Sequence, residues 1–326
     1  MMTVSNNNPV SLVTGASGFI GTHLIRRLVR EGKGVIVIDR KPPRETHPGV
    51  QYVNADVRDL SDVPINATLD TIYNFAAVHT TPGHEPYEYY STNVLGALEV
   101  TRLADRTDAR EIVFTSSISV YGPSETMKTE RSLPEPVSDY GHSKLQAEKI
   151  HENWLESGSR GKKLTVMRPA VVFGAGEYGN FTRLAKLLKK GIFIYPGRKD
   201  TIKSCIYVDD LLDAMEFARQ RNTEHIIVNG SYPSRPTLEE IVTALKNDYF
   251  SGAKTVTVPR LAVTSAAKII GAAGFLDLGI HPDRVMKLVR STDVYPQWLV
   301  ENNFPFPTAL ADVFKRWHRD TKGEFI

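Results

Sequence analysis

A chain of 326 residues, 41% hydrophobic and 24% charged, is long enough for one large α/β domain and a smaller lobe. Its formal net charge of +3 suits a small anionic ligand and is too slight a bias for a nucleic-acid partner. The single cysteine, Cys205, excludes an internal disulfide and a thiolate metal cluster, and its place in the apolar run SCIYV marks it as a core residue.

The opening residues MMTVSNNNP hold no basic stretch followed by an apolar one, so no secretory leader is expected and the cytoplasm is the expected compartment. Residues 10–13 (VSLV) read as a first strand that runs into TGASGFIG, residues 14–21. A helix is expected over 18–31, with Ile20, Leu24, Ile25 and Leu28 on one face. GVIVID (34–39) reads as the second strand and 51–53 as the third. Further strands are expected at 71–76, 111–116 and 164–168, with helices around 89–106 and 140–156. This alternation predicts a Rossmann-type, doubly wound parallel sheet.

From about Phe173 glycines and prolines break the chain into shorter pieces. A strand–helix–strand unit over 204–229 is expected to return to the main sheet. The smaller lobe is therefore discontinuous: a dinucleotide-binding domain over 1–173 and 204–230, and a substrate-binding lobe over 174–203 and 231–326. Residues 261–280 come nearest to a membrane span. Lys268 and Asp277 interrupt them, and Gly271 and Gly274 loosen them, so no stable insertion is expected and only shallow membrane contact stays open.

The glycine run has the spacing of a dinucleotide turn. Gly15 permits the tight strand-to-helix turn, Gly18 lets backbone approach a pyrophosphate, and Gly21 lets the helix pack on the strand. Amides around Ser17, Phe19 and Ile20 then face the phosphates. Asp39 ends the second strand where a carboxylate would bind the adenosine ribose hydroxyls, which favours NAD; the guanidinium of Arg40 leaves NADP open. Asp56 and Val57 are candidates for the adenine edge, and Phe75, Ala76 and Ala77 for the floor beneath the cofactor.

YGHSK places Tyr140 and Lys144 four residues apart, on one helical face. A phenol with a pKa of about 10 is a poor base at neutral pH unless a nearby cation stabilises its anion. Lys144, or an oxidised nicotinamide, is such a cation. The same spacing at Tyr195 and Lys199 spans Pro196-Gly197 and cannot be a helical turn. The expected strand over 111–116 delivers Ser116-Ser117 to the carboxyl end of the sheet, where Ser117 can orient a substrate hydroxyl beside Tyr140. No GxSxG elbow surrounds these serines, which excludes the serine-hydrolase reading. His79 and Thr80 are candidates for the substrate pocket. His79 and His84 lack a further ligand set, so no metal is expected.

With these residues in view the chain resembles the extended short-chain dehydrogenase/reductase family, in its NAD-dependent epimerase/dehydratase group. TGASGFIG, Asp39, Asp56-Val57, NFAA, TNVLGALEV, FTSSISVYG, YGHSK, MRPAVVFGAGE and CIYVDDLLDA carry the resemblance in order along nearly the whole chain. It implies Ser117, Tyr140 and Lys144 as a catalytic trio, Asn93 among the cofactor residues, and a homodimer through the two long helices. Ser117-Ile118-Ser119 stands where nucleotide-sugar dehydratases of the group carry Thr-Asp-Glu, which disfavours water elimination. Val171 and Lys203 replace the Asn and Arg common in the epimerases, and Asn180, Arg183 and Lys203 are the candidate diphosphate contacts. The resemblance points to a nucleotide-sugar 4-epimerase using NAD, with UDP-sugars favoured. A 4-keto-sugar reductase or 3β-hydroxysteroid-type dehydrogenase is the nearest rival, and a cofactor sensor without chemistry a more distant one.

Overall fold

The computed structural model describes residues 10–81, 83–157, 161–259 and 288–326. The apolar stretch 261–280 lies outside them, and no helix among the described residues is long and apolar enough to cross a membrane. Two compact units divide the chain: Met1–Gly122, Ser132–Pro169 and Val208–Gly230 form the first, and Pro123–Arg131, Ala170–Tyr207 and Ser231–Ile326 the second.

The first unit is built on seven strands: β1 (Val10–Thr14), β2 (Gly34–Asp39), β3 (Val50–Asn54), β4 (Leu69–Asn74), β5 (Glu111–Thr115), β7 (Lys163–Pro169) and β11 (His225–Gly230). They run parallel in the order β11-β7-β5-β4-β1-β2-β3. Four helices cover the sheet: α1 (Phe19–Arg30), α2 (Pro86–Arg106), α3 (Asp139–Glu156) and α5 (Val208–Arg221). β1 and β5 are buried end to end and β2 over its four central residues, as suits a sheet covered on both faces. Leu12, Ile36, Ile72, Ile112 and Leu164 meet Ala97, Val100, Leu103 and Ala147 of α2 and α3 in one core cluster. Strand order reverses between β1 and β4, which puts the binding crevice of such a sheet at their carboxyl ends.

Helix starts follow local chemistry that periodicity does not register. Gly18 is the extended N-cap of α1, so that helix begins one residue later than expected. α2 begins three residues early, because Glu85 and Glu88 form a capping box and Pro86 takes the first turn. Ser138 caps α3 by accepting from the Gly141 amide at 3.1 Å, which sets Tyr140 in the first turn and Lys144 one turn later.

The second unit holds short sheets: β6 (Ser124–Lys128) with β13 (Thr292–Val294), β8 (Val171–Phe173) with β10 (Cys205–Tyr207), and β9 (Ile192–Pro196) with β12 (Lys254–Val258). Around them lie α4 (Asn180–Lys189), α6 (Leu238–Tyr249), α7 (Gln297–Glu301) and α8 (Leu310–Asp320). Phe173, Phe181, Phe314 and Trp317 form a buried aromatic cluster, with Phe173 and Phe181 stacked and the other pairs tilted or edge-on. The strand expected to lead 204–229 back to the main sheet does not reach it. Cys205–Tyr207 pairs with β8, and only α5 and β11 return. An apolar run requires burial but does not name the sheet that provides it. Pro123–Arg131 also belongs to the second unit.

Candidate active site

β1 enters the glycine turn with Gly15 at φ +71°, where a Cβ would stand 2.5 Å from the backbone of Phe75 and Ala76. Glycine is therefore required twice, for its dihedral and for the close approach of the β4 end. α1 begins with no side-chain cap and no acidic residue in its first turn, leaving its leading amides to an outside anion. The Asp39 carboxylate sits beside this turn. Its two oxygens accept from the amides of Ser17 and Lys41, each at 2.9 Å. The uncapped helix, the glycine cradle and this carboxylate together fit an adenosine diphosphate with free ribose hydroxyls. Asp39→Ala is expected to weaken NAD binding about tenfold, the worth of one charge-assisted hydrogen bond, and to narrow the preference for NAD over NADP. Calorimetric titration with both cofactors measures this.

The other cofactor candidates divide. Arg40 is exposed, Asp56 pairs with Arg58 at 2.7 Å, and Val57 is buried beneath Gly96 of α2. That ion pair holds the Asp56 carboxyl below its ordinary range. Phe75, Ala76 and Ala77 are half-buried after β4. Asn93 has little left to give a ligand: its amide donates to the Val78 carbonyl and the Ser143 hydroxyl, and its oxygen accepts from the Val78 amide. It clamps the loop after β4 to α2 and α3. Arg44, which sequence patterns did not single out, reaches this region and donates to the Ser17 carbonyl at 3.1 Å.

Ser116 and Ser117 part company. Ser117 accepts from the Ser119 amide and donates to its hydroxyl, both at 3.1 Å, and its hydroxyl lies near enough to the Tyr140 phenol to favour the phenolate. The contact exists because α3 starts hard against the turn 118–121; a Cβ on Gly141 would lie 2.5 Å from the Ser119 carbonyl. Ser116 points elsewhere and donates to the buried Glu148 carboxylate. Arg168 holds that carboxylate from the other side, through Nε at 2.9 Å and an amino group at 2.6 Å, and donates onward to the Tyr121 hydroxyl at 2.8 Å.

Tyr140 and Lys144 share α3 as expected, but their electrostatics differ from the expectation. Burial pushes the Tyr140 phenol up to about 12, opposed only by the neighbouring Ser117 hydroxyl. Lys144 is buried, donates to the Thr115 carbonyl at 2.6 Å, and lies 4.6 Å over the Phe114 ring. Burial pulls its ammonium down to about 7, against the opposing charge of Glu148. A lysine half neutral near pH 7 is a weak source of positive field for the phenol.

This depressed lysine has a stability signature. Between about 7 and its ordinary 10.5 the unfolded chain binds the proton that the folded chain has shed, so stability rises with pH across that window. Below it the full cost of burying the charge applies. Lys144→Met keeps the stem, drops the charge and orphans the Thr115 carbonyl. The expected net gain at neutral pH is about 1–3 kcal/mol, shrinking towards pH ~10. Thermal melts of both proteins across that range test it.

Beneath the sheet end, His151 closes a further chain of bonds. Its Nδ1 donates to the Ala147 carbonyl at 2.7 Å, so Nε2 accepts from Asn74 at 3.2 Å, and Asn74 accepts from Thr14 at 2.9 Å. Burial lowers this imidazole to about 4, so it stays neutral. His79 and Thr80 are exposed after β4.

Within the second unit, Asn180 and Arg183 are exposed on the first turn of α4. The amide of Thr182 donates to the buried Glu177 carboxylate at 3.1 Å, and the Thr182 hydroxyl to the Glu177 carbonyl. Burial raises the Glu177 carboxyl above its ordinary range, against these bonds. Lys203 donates to the Arg290 carbonyl at 2.5 Å, and burial lowers its ammonium to about 8. Among the described residues no cluster of His, Cys, Asp or Glu is arranged to hold a metal. Tyr195 and Lys199 form no helical turn; the ammonium lies 5.2 Å from the ring centre, over a β-strand residue.

A model of the NAD dependent epimerase/dehydratase family matches residues 11–230. Over 209 residues the chain is 31% identical to N-acetyl-α-D-glucosaminyl-diphospho-ditrans,octacis-undecaprenol 4-epimerase of Escherichia coli O157:H7, covering 63% of this chain and 62% of that protein, less than two thirds of its length. Over 267 residues it is 29% identical to UDP-glucose 4-epimerase of Lactobacillus helveticus, covering 72% and 80%. Among solved structures, MoeE5 in complex with UDP-glucose and NAD superposes with a TM-score of 0.72 over 96% of this chain and 98% of that one, at 24% identity, a likeness of fold.

Proposed function

Since the chain belongs to the NAD dependent epimerase/dehydratase family, we propose that it is an NAD-dependent 4-epimerase of a diphosphate-linked sugar. The observation that carries this reading is the Ser117–Tyr140 hydroxyl pair, with Lys144 one helical turn away and the glycine turn at the same end of the sheet. When bound, NAD supplies a cationic hydride acceptor that is restored within each turnover. Ser117 holds the sugar C4 oxygen, and Tyr140 takes the C4 hydroxyl proton as the 4-keto sugar forms. The keto sugar turns to present its other face to the hydride that the bound cofactor would hold, and Tyr140 returns the proton to the C4 oxygen. Lys144, fixed by the Thr115 carbonyl, orients the nicotinamide ribose. Asn180, Arg183 and Lys203 are the proposed diphosphate contacts of the second unit. A homodimer through α2 and α3 and a location in the cytoplasm, where nicotinamide cofactors are supplied, complete the proposal.

The similarity to the Lactobacillus UDP-glucose 4-epimerase favours a UDP-sugar. The similarity to the Escherichia coli enzyme favours a second reading, in which the diphosphate joins the sugar to a polyprenol. The test incubates the protein with UDP-glucose, UDP-N-acetylglucosamine and a polyprenyl-diphosphate N-acetylglucosamine, and follows the C4 configuration by NMR. Interconversion without net change in nicotinamide absorbance supports the epimerase. A steady absorbance change with a 4-keto sugar or hydroxysteroid would replace it with the oxidoreductase.

A further inference from the structure

The second unit carries 21 basic and 14 acidic residues, a net +7, against 19 and 23 in the first, a net −4. Such asymmetry within one chain indicates a polyanionic surface as partner of the basic part. The excess is local: from Tyr178 through Lys199 there are six basic residues and no acidic one.

That run covers α4 and β9, and β9 pairs in parallel register with β12. Ile192 lies beside Lys254 and Ile194 beside Val256, so these four side chains share one face of the two-stranded sheet. The face is open: Ile192, Ile194 and Val256 are 47%, 48% and 47% exposed, whereas Phe193 and Tyr195 of the other face are buried. Lys190 stands two residues ahead of Ile192, and Lys186 one helical turn before it; both are exposed. Lys189, Arg198 and Lys199 are committed to carboxylates, but Lys186, Lys190 and Lys254 make no ion pair among the described residues. Aliphatic side chains with Lys254 on the same face, and Lys186 and Lys190 exposed on the preceding helix and its C-cap, match a bilayer surface, whose acyl boundary accepts the former and whose anionic headgroups attract the latter.

We propose that the outer face of the β9–β12 sheet docks this protein on an anionic phospholipid membrane. The attachment is peripheral, through three aliphatic side chains and a fringe of lysines. Docking stands independently of the catalytic assignment. Its consequence, that the sugar is presented on a membrane-embedded polyprenyl diphosphate, rests on the second reading above.

The test is flotation of the purified full chain with vesicles of phosphatidylcholine alone and of phosphatidylcholine mixed with phosphatidylglycerol. Flotation with the mixed vesicles only, released by high salt, is expected. K186E/K190E/K254E should abolish it, and each single Lys→Gln change should weaken it about fivefold. I192S/I194S/V256S should bind weakly even at low salt, with circular dichroism confirming the fold of every variant. Equal flotation by wild type and all variants would overturn the proposal. So would absence of flotation accompanied by a sedimentation coefficient that the same variants reduce, since a second copy would then be the occupant. Catalytic failure with every sugar, while flotation persists, would sink the epimerase reading and leave docking intact.

Discussion

Tyr140→Phe is expected to lower kcat for epimerisation by about 10³-fold or more while the melting temperature stays within a few degrees of wild type. The substitution removes one oxygen. The ring still packs 6.3 Å from Tyr89, and Ser117 keeps its bonds to Ser119, so neither fold nor cofactor turn loses a support. What disappears is the group proposed to accept the C4 proton, and the phenyl ring offers no substitute. The remaining phenol in wild type has its own pH signature. With burial pushing the hydroxyl up to about 12, activity should rise with pH across the neutral range, where Tyr140 is mostly protonated. Stopped assays of wild type and variant across pH, with cofactor occupancy measured separately, check both statements. Wild-type turnover in the variant would remove Tyr140 from the chemistry.

Glu148→Ala is expected to cost about 3–5 kcal/mol of stability, a drop in melting temperature on the order of 10 °C. Glu148 and Arg168 are 0% and 3% exposed. Burial works against the Arg168 charge, and the hydrogen bonds and field of Glu148 more than restore it. Removal of the carboxylate leaves a guanidinium in the core with a neutral tyrosine hydroxyl as its main polar company, and leaves Ser116 without its acceptor. Replacing both charged residues with apolar ones should cost less than either single change, because most of the loss is the stranded partner. Chemical denaturation of the two single variants and the double variant measures the coupling.

The sequence reported the parts of this site whose chemistry is local. Gly15 is legible because one position must meet a positive φ and a backbone approach at once, and Asp39 because it ends a strand at a fixed distance from that turn. Tyr140 and Lys144 are legible through helical spacing once Pro196-Gly197 sets aside the same spacing at Tyr195 and Lys199. Ser116 and Ser117 form an ambiguous pair in sequence, and only the alternation of the extended backbone sends one to Glu148 and the other to Tyr140. The Glu148–Arg168 pair joins residues on different elements, and no spacing rule connects them, although Glu148 does fall one turn beyond Lys144. The help that Tyr140 draws from Lys144 is smaller than the spacing suggests, for a related reason. Sequence shows a nearby amine, whereas its charge depends on how deeply the fold buries it. Asn93 likewise reads as a ligand residue until its hydrogen-bonding capacity is seen spent on Val78 and Ser143.

Glu177 carries an implication for recognition. With its carboxylate already seated on the first amides of α4, that end of the helix is self-sealed, and an incoming phosphate would meet a resident negative charge where a free dipole is usually on offer. The diphosphate contact proposed for the second unit would therefore rest on side chains, with the exposed guanidinium of Arg183 reading charge more than shape.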